Sequence, residues 1–271
     1  MISTVVKSLF IGAISLPALI QANWQLAWHD EFDGTQIDKS KWNYDIGGDG
    51  WGNQELEYYT DRGDNSYVKD GFLHIQAKKE NYGGRQYTSA RMKTQGKFSQ
   101  KFGKFEARAK LPKGQGVWPA FWLLGDNISQ VGWPACGEID ILEVIGKQPT
   151  VAHGSLHANG FDTTNGYNHA QGFADDYHIY GVEWHSGKLS FYVDGNTYFS
   201  VDKSASHGDW PFDRNNFFII LNLAIGGNWP GNPDGNTHFP SQFIIDYVRV
   251  YKYQQGHAEV EDEVEALEFL Q

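Results

Sequence analysis

Three carboxylates within six residues are the part of this chain best suited to chemistry. The segment 138–143 reads Glu-Ile-Asp-Ile-Leu-Glu in an otherwise apolar, strand-like run, where acids are costly unless they face water or a ligand. Side chains alternate faces along a strand, so Glu138 and Asp140 share one face. A β-bulge at the next two residues returns Glu143 to that face. Paired carboxyl groups of this kind are typical of glycosidases.

This chemistry sets a distance requirement. A retaining glycosidase holds its nucleophile and its acid/base carboxyl group roughly 5–5.5 Å apart. Residues four positions apart on a strand have Cα atoms roughly 13 Å apart, from a rise of about 3.3 Å per residue. Long side chains that lean inward on a concave face can close this gap, which is a physical reason for glutamates, Glu138 and Glu143, at the outer positions.

Strands must position these acids. The chain after residue 23 consists of short β-like runs separated by Gly, Asn and Asp, with no internal repeat and no long linker. The clearest runs lie at 71–77, 103–110, 189–199, 217–223 and 242–251. This pattern predicts one all-β domain, a sandwich or a barrel.

Composition supports that fold class and limits the function. The 271 residues include 10 Trp, 14 Tyr, 17 Phe and 31 Gly. Many of these aromatic residues must fill the core, but Trp and Tyr also suit the stacking of sugar rings. The formal net charge of −11 argues against nucleic-acid binding and fits a neutral substrate.

Cys136 is the only cysteine, so no intramolecular disulfide can form. Alternation places it beside the acidic face, two residues before Glu138. Because no paired histidine is indicated, we expect a partly buried, inert thiol rather than a nucleophile. The ten histidines show no H-E-x-x-H spacing, so no zinc site is predicted.

The N-terminus has the pattern of a signal peptide. Residues 1–22 contain a basic residue, Lys7, then an apolar run at 9–20 and a small residue before a cut at Asn23. The apolar run is short for a bilayer span, which needs roughly 20 residues. We therefore expect an exported protein, periplasmic or extracellular, with an uncleaved anchor as the alternative.

The C-terminus carries a different segment. Residues 256–271 are acidic, with apolar residues at helical spacing, and are interpreted as a solvated tail or a short amphipathic helix. The catalytic domain is predicted at 23–255. We expect a monomer without a membrane span in its mature form and without a nucleic-acid partner.

Six sequence blocks share a resemblance to one family. They are 51–60 (WGNQELEYYT), 89–91 (SAR), 116–125 (GVWPAFWLLG), 138–143 (EIDILE), 226–231 (GGNWPG) and 245–251 (IDYVRVY). Together they resemble glycoside hydrolase family 16, in its laminarinase-like branch, and the resemblance runs from about Trp28 to Tyr253. The acidic block matches the bulged form of the family signature.

The resemblance implies a fold and a mechanism. The fold is a jelly-roll β-sandwich of two curved antiparallel sheets, concanavalin-like, with an open concave substrate cleft. Glu138 is implied as the nucleophile and Glu143 as the acid/base, with Asp140 hydrogen-bonded to Glu138. A nearby carboxylate raises the pKa of Glu143 and helps it to hold a proton. An exposed acidic strand edge is the competing interpretation.

Substrate contacts are assigned on the same basis. Trp118 and Trp122 are four residues apart and can share a face of a strand, and Trp133 is a third cleft aromatic. Core packing is the alternative for all three, above all for Trp133.

Three polar residues complete the implied site. Asn53 and Arg91 are expected to bind sugar hydroxyls on the glycone side, with a surface salt bridge as the alternative for Arg91. His157 is expected on the adjacent strand, near the acid/base, with a structural histidine as the alternative.

The resemblance also implies a structural calcium site away from catalysis. Its ligands would be Glu31, the backbone carbonyl of Gly71, and Asp246, since oxygen ligands suit calcium. No cofactor is required for the chemistry itself.

The predicted function is a secreted, retaining endo-β-1,3-glucanase that acts on laminarin-type glucans. Mixed-linkage β-glucan or a marine galactan is the alternative substrate, because cleft loops rather than the fold select the sugar. Transglycosylation stays open, and so does a non-catalytic β-glucan-binding protein, although such proteins typically lack the glutamates that this chain keeps.

Overall fold

A computed structural model describes residues 23–254 of the protein. Its compact unit extends from Trp24 to Tyr253. The predicted signal peptide and the whole of the predicted acidic tail lie outside the described residues. Within 23–254 no helix has the length and apolar character needed to cross a bilayer.

Strands dominate the described chain. In chain order they are β1 (Asn23–Asp30), β2 (Asn43–Asp45), β3 (Glu57–Tyr59), β4 (Ser66–Lys69), β5 (Phe72–Tyr82), β6 (Arg85–Ser89), β7 (Arg91–Lys93), β8 (Gly103–Lys110), β9 (Val117–Gly125), β10 (Glu138–Glu143), β11 (Val151–Ala158), β12 (Phe161–Asn168), β13 (His178–His185), β14 (Lys188–Val193), β15 (Asn196–Asp202), β16 (Phe217–Ile225) and β17 (Ser241–Gln254). The short helices are α1 (Ile128–Val131) and 3-10 turns at Lys203–Ala205 and Pro211–Asp213. Each of the five strand-like runs in the sequence forms strand structure, as predicted.

The strands form two sheets. Seven strands lie in the order β12-β11-β10-β9-β16-β7-β2, and the other sheet has ten strands, with the path β15-β14-β13-β8-β17-β5-β6-β3. In the larger sheet β1 pairs with β17 and β4 with β5, and β3 and β6 run parallel. The predicted all-β jelly-roll sandwich is confirmed. In the smaller sheet β9 to β12 are consecutive, so they form an antiparallel meander.

Local sequence explains these elements. Strand β8 alternates buried and half-buried residues along its whole length, which is the period of a strand with one face on a core. The β14–β15 hairpin turns at Asp194 and Gly195, which both have positive φ angles, 49° and 76°. Such two-residue turns match the twist of the flanking strands.

The main core lies between the two sheets. It includes large aromatic residues, among them Phe105, Trp184 and Phe217. Strand β16 is buried along its entire length, because both of its faces are covered. Its odd-numbered residues face the core, whereas Asn222 and Ala224 line a cleft on the opposite side. The smaller sheet therefore carries a core face and a cleft face.

Candidate active site

Strand β10 presents its acids through a bulge. Asp140 lies opposite Trp122 of β9. Leu142 lies opposite the next paired residue of that strand, so Ile141 is the extra residue of the bulge. The bulge returns Glu143 to the side of Asp140, as predicted, while Ile141 and Leu142 are buried in the core.

The acids lie in a cleft of about 290 Å³ on the outer face of the smaller sheet. Glu138, Asp140 and Glu143 all line it. The remaining lining is rich in rings and polar groups, including Trp51, Asn53, Glu55, Arg91, Trp118, Trp122, Trp133 and Asn222. Rings that flank acids suit a ligand with apolar faces and many hydroxyl groups.

The surroundings of all three acids raise their pKa values. Burial, and then the charge of Asp140, raises the pKa of Glu138 to about 8. Burial raises the pKa of Asp140 to about 8, against the lowering effect of its hydrogen bond with Glu138. Burial, followed by the charges of Asp140 and Glu138, holds the pKa of Glu143 well above its usual range. Three carboxyl groups this close cannot all ionise at neutral pH.

The two glutamates differ in their stabilising neighbours. The Trp133 indole donates a hydrogen bond from Nε1 to Glu138 Oε2 at 3.0 Å, and His157 and the guanidinium of Arg91 also act to lower the pKa of Glu138. Glu143 accepts a hydrogen bond from Trp118 Nε1 at 3.1 Å but faces the charge of both other acids. Glu138 is therefore the glutamate that ionises more easily, and Glu143 is the one that keeps its proton.

His157 lies on β11, the strand adjacent to β10, as predicted. In the register it lies opposite Glu138, whereas the cross-strand partner of Glu143 is His153, and the His157 ring is close enough to Glu143 to influence the pKa of that carboxyl. His157 Nε2 is 3.2 Å from Asp140 Oδ2 and 4.0 Å from Glu138 Oε1. The imidazole thus contacts the end of the site that holds the more easily ionised glutamate.

Comparison with known proteins identifies the family. A sequence model described as glycosyl hydrolases family 16 matches residues 52–249. The chain belongs to glycosyl hydrolase family 16. The resemblance predicted from the sequence blocks is therefore confirmed.

Among its relatives, the β-glucanase of Rhodothermus marinus is 43% identical over 253 residues, covering 85% of this chain and 86% of that protein. The solved endo-β-1,3-glucanase of Pyrococcus furiosus is 45% identical with a TM-score of 0.83, over 87% of this chain and 97% of its own. The catalytic domain of the endo-1,3-β-glucanase (laminarinase) of Thermotoga petrophila RKU-1 gives the same TM-score and identity, over 87% of this chain and all of its own.

One wall of the family 16 cleft is built around Arg91. Its guanidinium lies between two indole rings, 4.9 Å from the Trp51 ring centroid and 4.7 Å from that of Trp122. Arg91 Nε is also 3.0 Å from Asp45 Oδ2, so the salt bridge considered from sequence is present. It is not a surface pair, because both side chains are mostly buried. The ion pair and the two rings hold a cation at the cleft wall.

A polar relay supports the floor of the cleft. Trp122 Nε1 donates to Asn222 Oδ1 at 2.7 Å, and Asn222 Nδ2 donates to the Tyr59 hydroxyl at 3.1 Å. Tyr59 donates to Glu55 Oε2 at 2.9 Å, and Asn53 Nδ2 donates to Glu55 Oε1 at 3.0 Å. Each donor points along the relay toward Glu55, so this carboxylate orients both predicted cleft residues, Asn53 and Trp122.

Next to Glu55 lies a second buried acid. Glu57 is fully buried, and its Oε2 accepts a 2.6 Å hydrogen bond from the backbone N–H of Ile225. Burial, and then the charge of Glu55, holds the pKa of Glu57 well above its usual range. These surroundings favour the neutral form of Glu57.

An aromatic cluster adjoins the cleft residue Trp118, which donates to Glu143. The Trp118 and Trp229 rings meet edge to face with centroids 5.4 Å apart, and Trp229 meets His153 in the same way at 5.1 Å. Lys147 Nζ donates to the Trp229 carbonyl at 2.6 Å. This arrangement extends the ring surface that adjoins the acid that keeps its proton.

The structure thus brings together the nine predicted catalytic and substrate-binding residues around one cleft. Trp133, for which core packing was the alternative, is 59% exposed and covers Glu138. The sequence prediction omitted Trp51, Glu55, Asn222 and Trp229. Trp51, Glu55 and Trp229 lie inside matched blocks, which was an available signal, whereas Asn222 was marked by none.

Cys136 is completely buried rather than partly buried. It packs with Leu124, Phe218 and Ile220 in a small apolar cluster, and burial, followed by the charge of Glu138, raises its thiol pKa to about 11. A thiol that stays protonated in an apolar pocket is a poor nucleophile, in agreement with the prediction of an inert cysteine.

The predicted calcium ligands do not fit a metal site as they lie. Glu31 accepts two hydrogen bonds from Arg249, at 2.9 and 2.7 Å, and Asp246 Oδ2 is 2.6 Å from Arg108 Nη1. Gly71 forms part of the tight turn between β4 and β5. Both carboxylates are thus neutralised by guanidinium groups instead of being free for a cation. A structural calcium stays a prediction without support from these side chains.

Within residues 23–254, one group of His and acid side chains has ligand atoms within 4.8 Å of one another, namely Glu138, Asp140 and His157. Trp133 already donates to Glu138, and Asp140 and Glu138 share a hydrogen bond. We therefore interpret this group as the carboxyl centre of the cleft and not as a metal centre.

Proposed function

We propose that this family 16 protein is a retaining endo-β-1,3-glucanase that hydrolyses laminarin-type glucans. The observation that carries the proposal is the unequal environment of two glutamates in one aromatic cleft. Glu138 accepts from the Trp133 indole and lies near the guanidinium of Arg91, whereas Glu143 accepts from the Trp118 indole but is fully buried and faces the charges of both other acids. These are the surroundings that a nucleophile and a general acid require.

In the proposed reaction Glu138 attacks the anomeric carbon as a carboxylate. Glu143 donates its proton to the glycosidic oxygen, and the leaving chain departs. The glycosyl–enzyme ester leaves Glu138 neutral, so one charge that raised the pKa of Glu143 is lost, and Glu143 can accept a proton from the attacking water. The Trp133 N–H stabilises the carboxylate form of Glu138 in the free enzyme and after hydrolysis.

The choice of substrate rests on the relatives and on the cleft. The relatives described above are named as a β-glucanase and as endo-β-1,3-glucanases, and 43–45% identity over most of the chain supports extending that activity to this protein. Rings on both sides of the acids suit a neutral polysaccharide that occupies both sides of the cleaved bond. Product analysis on laminarin beside lichenan and agarose tests the choice, since a series of β-1,3 oligosaccharides from laminarin alone is expected.

Azide rescue tests the two roles separately. Glu138→Ala and Glu143→Ala are each expected to lower kcat at least about 10³-fold, because each removes a group that acts in the transition state. With an aryl β-glucoside oligomer and added azide, Glu143→Ala should give the β-glycosyl azide through the covalent intermediate. Glu138→Ala should give the α-glycosyl azide by direct attack. The reverse stereochemistry would exchange the two roles, and unchanged activity in either variant would exclude the assignment.

We also propose that the protein is exported after cleavage near Asn23 and acts as a monomer. The basic residue, apolar run and small residue of positions 1–22 support export. N-terminal sequencing of the protein recovered outside the cytoplasm should begin at Asn23, and light scattering should give a mass close to one chain. A retained N-terminus or a stable dimer would contradict these statements.

A further inference from the structure

Three acids lie on two sides of the His157 ring. On the cleft side its Nε2 faces Asp140 Oδ2 at 3.2 Å and Glu138 Oε1 at 4.0 Å. On the other side its Nδ1 lies 2.6 Å from Oδ1 of Asp162. Asp162 is on β12, directly opposite His157 in the β11–β12 register, and it lies outside the cleft lining.

The Asp162 contact fixes which nitrogen of the ring carries hydrogen. An ionised carboxylate can only accept hydrogen bonds, so at 2.6 Å Nδ1 must be the donor. When the ring is neutral, its other nitrogen, Nε2, is then an acceptor, so the form of Asp140 that suits this 3.2 Å contact is the protonated acid, which burial favours. A carboxylate that accepts from one imidazole nitrogen sets both the tautomer and the orientation of the ring.

We propose that Asp162 is a positioning residue, which holds His157 in the Nδ1–H form with Nε2 directed at Asp140 and thereby arranges the acids around the nucleophile. The inference rests on the proposed function only for its effect on rate. Asp162 itself touches neither Asp140 nor Glu138 in the described contacts, so its action passes through the ring of His157.

Exposure decides what kind of effect to expect. The Asp162 side chain is 73% exposed and that of His157 is 27% exposed, and an exposed ion pair contributes little to stability. A purely structural pair would therefore give small changes in both stability and rate when Asp162 is replaced. A positioning role instead predicts a change in the ring tautomer and a loss of kcat, with the free energy of unfolding nearly constant.

The experiment compares Asp162→Ala and Asp162→Asn with Asn165→Ala, an exposed replacement on the same strand. Nitrogen-15 spectra of the histidine side chains, assigned with His157→Gln and recorded at a pH where the ring is neutral, report the tautomer. Asp162→Ala should lose the Nδ1–H form of His157 and lower kcat on laminarin about tenfold, with KM within about twofold. Asp162→Asn, whose amide oxygen can still accept from Nδ1, should keep part of the Nδ1–H form and part of the kcat. Asn165→Ala should change neither the tautomer nor kcat.

Persistence of the Nδ1–H form in Asp162→Ala overturns the proposal, and so does a kcat loss without a change of tautomer. The spectra need no substrate. If the unmodified protein failed to cleave laminarin, the proposed function would fail on its own, while the tautomer would still show whether Asp162 positions His157.

Discussion

Glu138 and Glu143 have the same functional group, and their neighbours give them different properties. The Trp133 indole N–H, the guanidinium of Arg91 and the imidazole of His157 favour the charged form of Glu138. Glu143 accepts one indole hydrogen bond but faces two acids. In water two glutamate side chains have nearly the same pKa. Burial removes that solvent, so the charges and hydrogen-bond donors in contact with each carboxyl group decide its pKa and its role.

The relay behind the cleft leads to a prediction at Glu55. Both Glu55 oxygens accept hydrogen bonds, one from Asn53 and one from Tyr59. Glu55→Gln replaces one acceptor with an NH₂ group that faces a donor, so the free energy of unfolding should fall by about 1–3 kcal/mol. KM for laminarin should rise severalfold, because the cleft residues Asn53 and Trp122 lose their support. Steady-state kinetics and urea unfolding measure both effects.

Glu57→Gln is the matched control for Glu55→Gln. The surroundings of Glu57 favour its neutral form, and its Oε2 accepts from the Ile225 N–H. A glutamine there keeps a neutral donor and an acceptor, so KM should be nearly unchanged. Equal effects of the two replacements would show that Glu55 has no particular role in orienting the cleft.

At the scale of elements, the bulge in β10 decides where the second glutamate points. Ile141 is the extra residue, and Glu143 lies opposite Ala120 of β9 and His153 of β11. Without the extra residue an alternating strand places position 142 opposite the same partners. The bulge therefore lets the strand bury one more apolar side chain while it keeps the spacing of the acids across the cleft.

Deletion of Ile141 tests this view of the bulge. The glutamate should keep its cross-strand partners, so kcat/KM on laminarin should stay within about tenfold of the unmodified protein. The lost burial of an isoleucine that is 2% exposed should cost about 2–5 kcal/mol of unfolding free energy. Deletion of Leu123, in the regularly paired part of β9, is the control and should prevent folding, because it reverses the faces of the following residues. Complete loss of activity in a folded Ile141 deletion would contradict the prediction.

Sequence patterns predicted the elements better than the contacts between them. Alternation in β8 and the broken alternation in β10 are local, so both could be recognised from neighbouring residues. The Asn222–Tyr59 hydrogen bond joins residues 163 positions apart, and no spacing rule indicates such a pair. The register that places His157 opposite Glu138 was likewise not available from the sequence, since it depends on how β10 and β11 pair.

On the scale of the whole molecule, the sandwich buries three carboxyl groups, and their burial lowers the free energy of unfolding. The folded-state pKa of Glu143 lies well above its ordinary value of 4.5. At a pH between the ordinary pKa and the folded-state pKa, the folded protein keeps a proton on Glu143 that the unfolded chain releases. The free energy of unfolding therefore falls as pH rises through this range. The active site is thus a source of instability that grows toward alkaline pH.

Glu143→Gln should therefore stabilise the fold while it removes activity. Near pH 4 the variant and the unmodified protein should unfold at similar urea concentrations. At pH 8 the variant should be more stable by about 1–3 kcal/mol, from the equivalence of one pKa unit to about 1.4 kcal/mol. Asp175→Asn, at an acid with a 78% exposed side chain, should show no such trend. A stability difference that is constant between pH 4 and pH 8 would contradict the assignment of the buried proton to Glu143.

The order of strands has a consequence for how the protein is made. The meander β9 to β12 can pair through neighbouring hairpins, whereas β17, which lies between β8 and β5 and also pairs with β1, is synthesised last among the described strands. A chain that emerges from the ribosome therefore completes β9 to β12 before β13, β14, β15 and β17 of the opposing sheet are made, so the apolar side of the meander, including Ile139 and Leu156, is at first only partly covered. Until β17 is synthesised, the nascent chain exposes apolar surface that can aggregate. The yield of folded protein therefore depends on protection of that surface during synthesis.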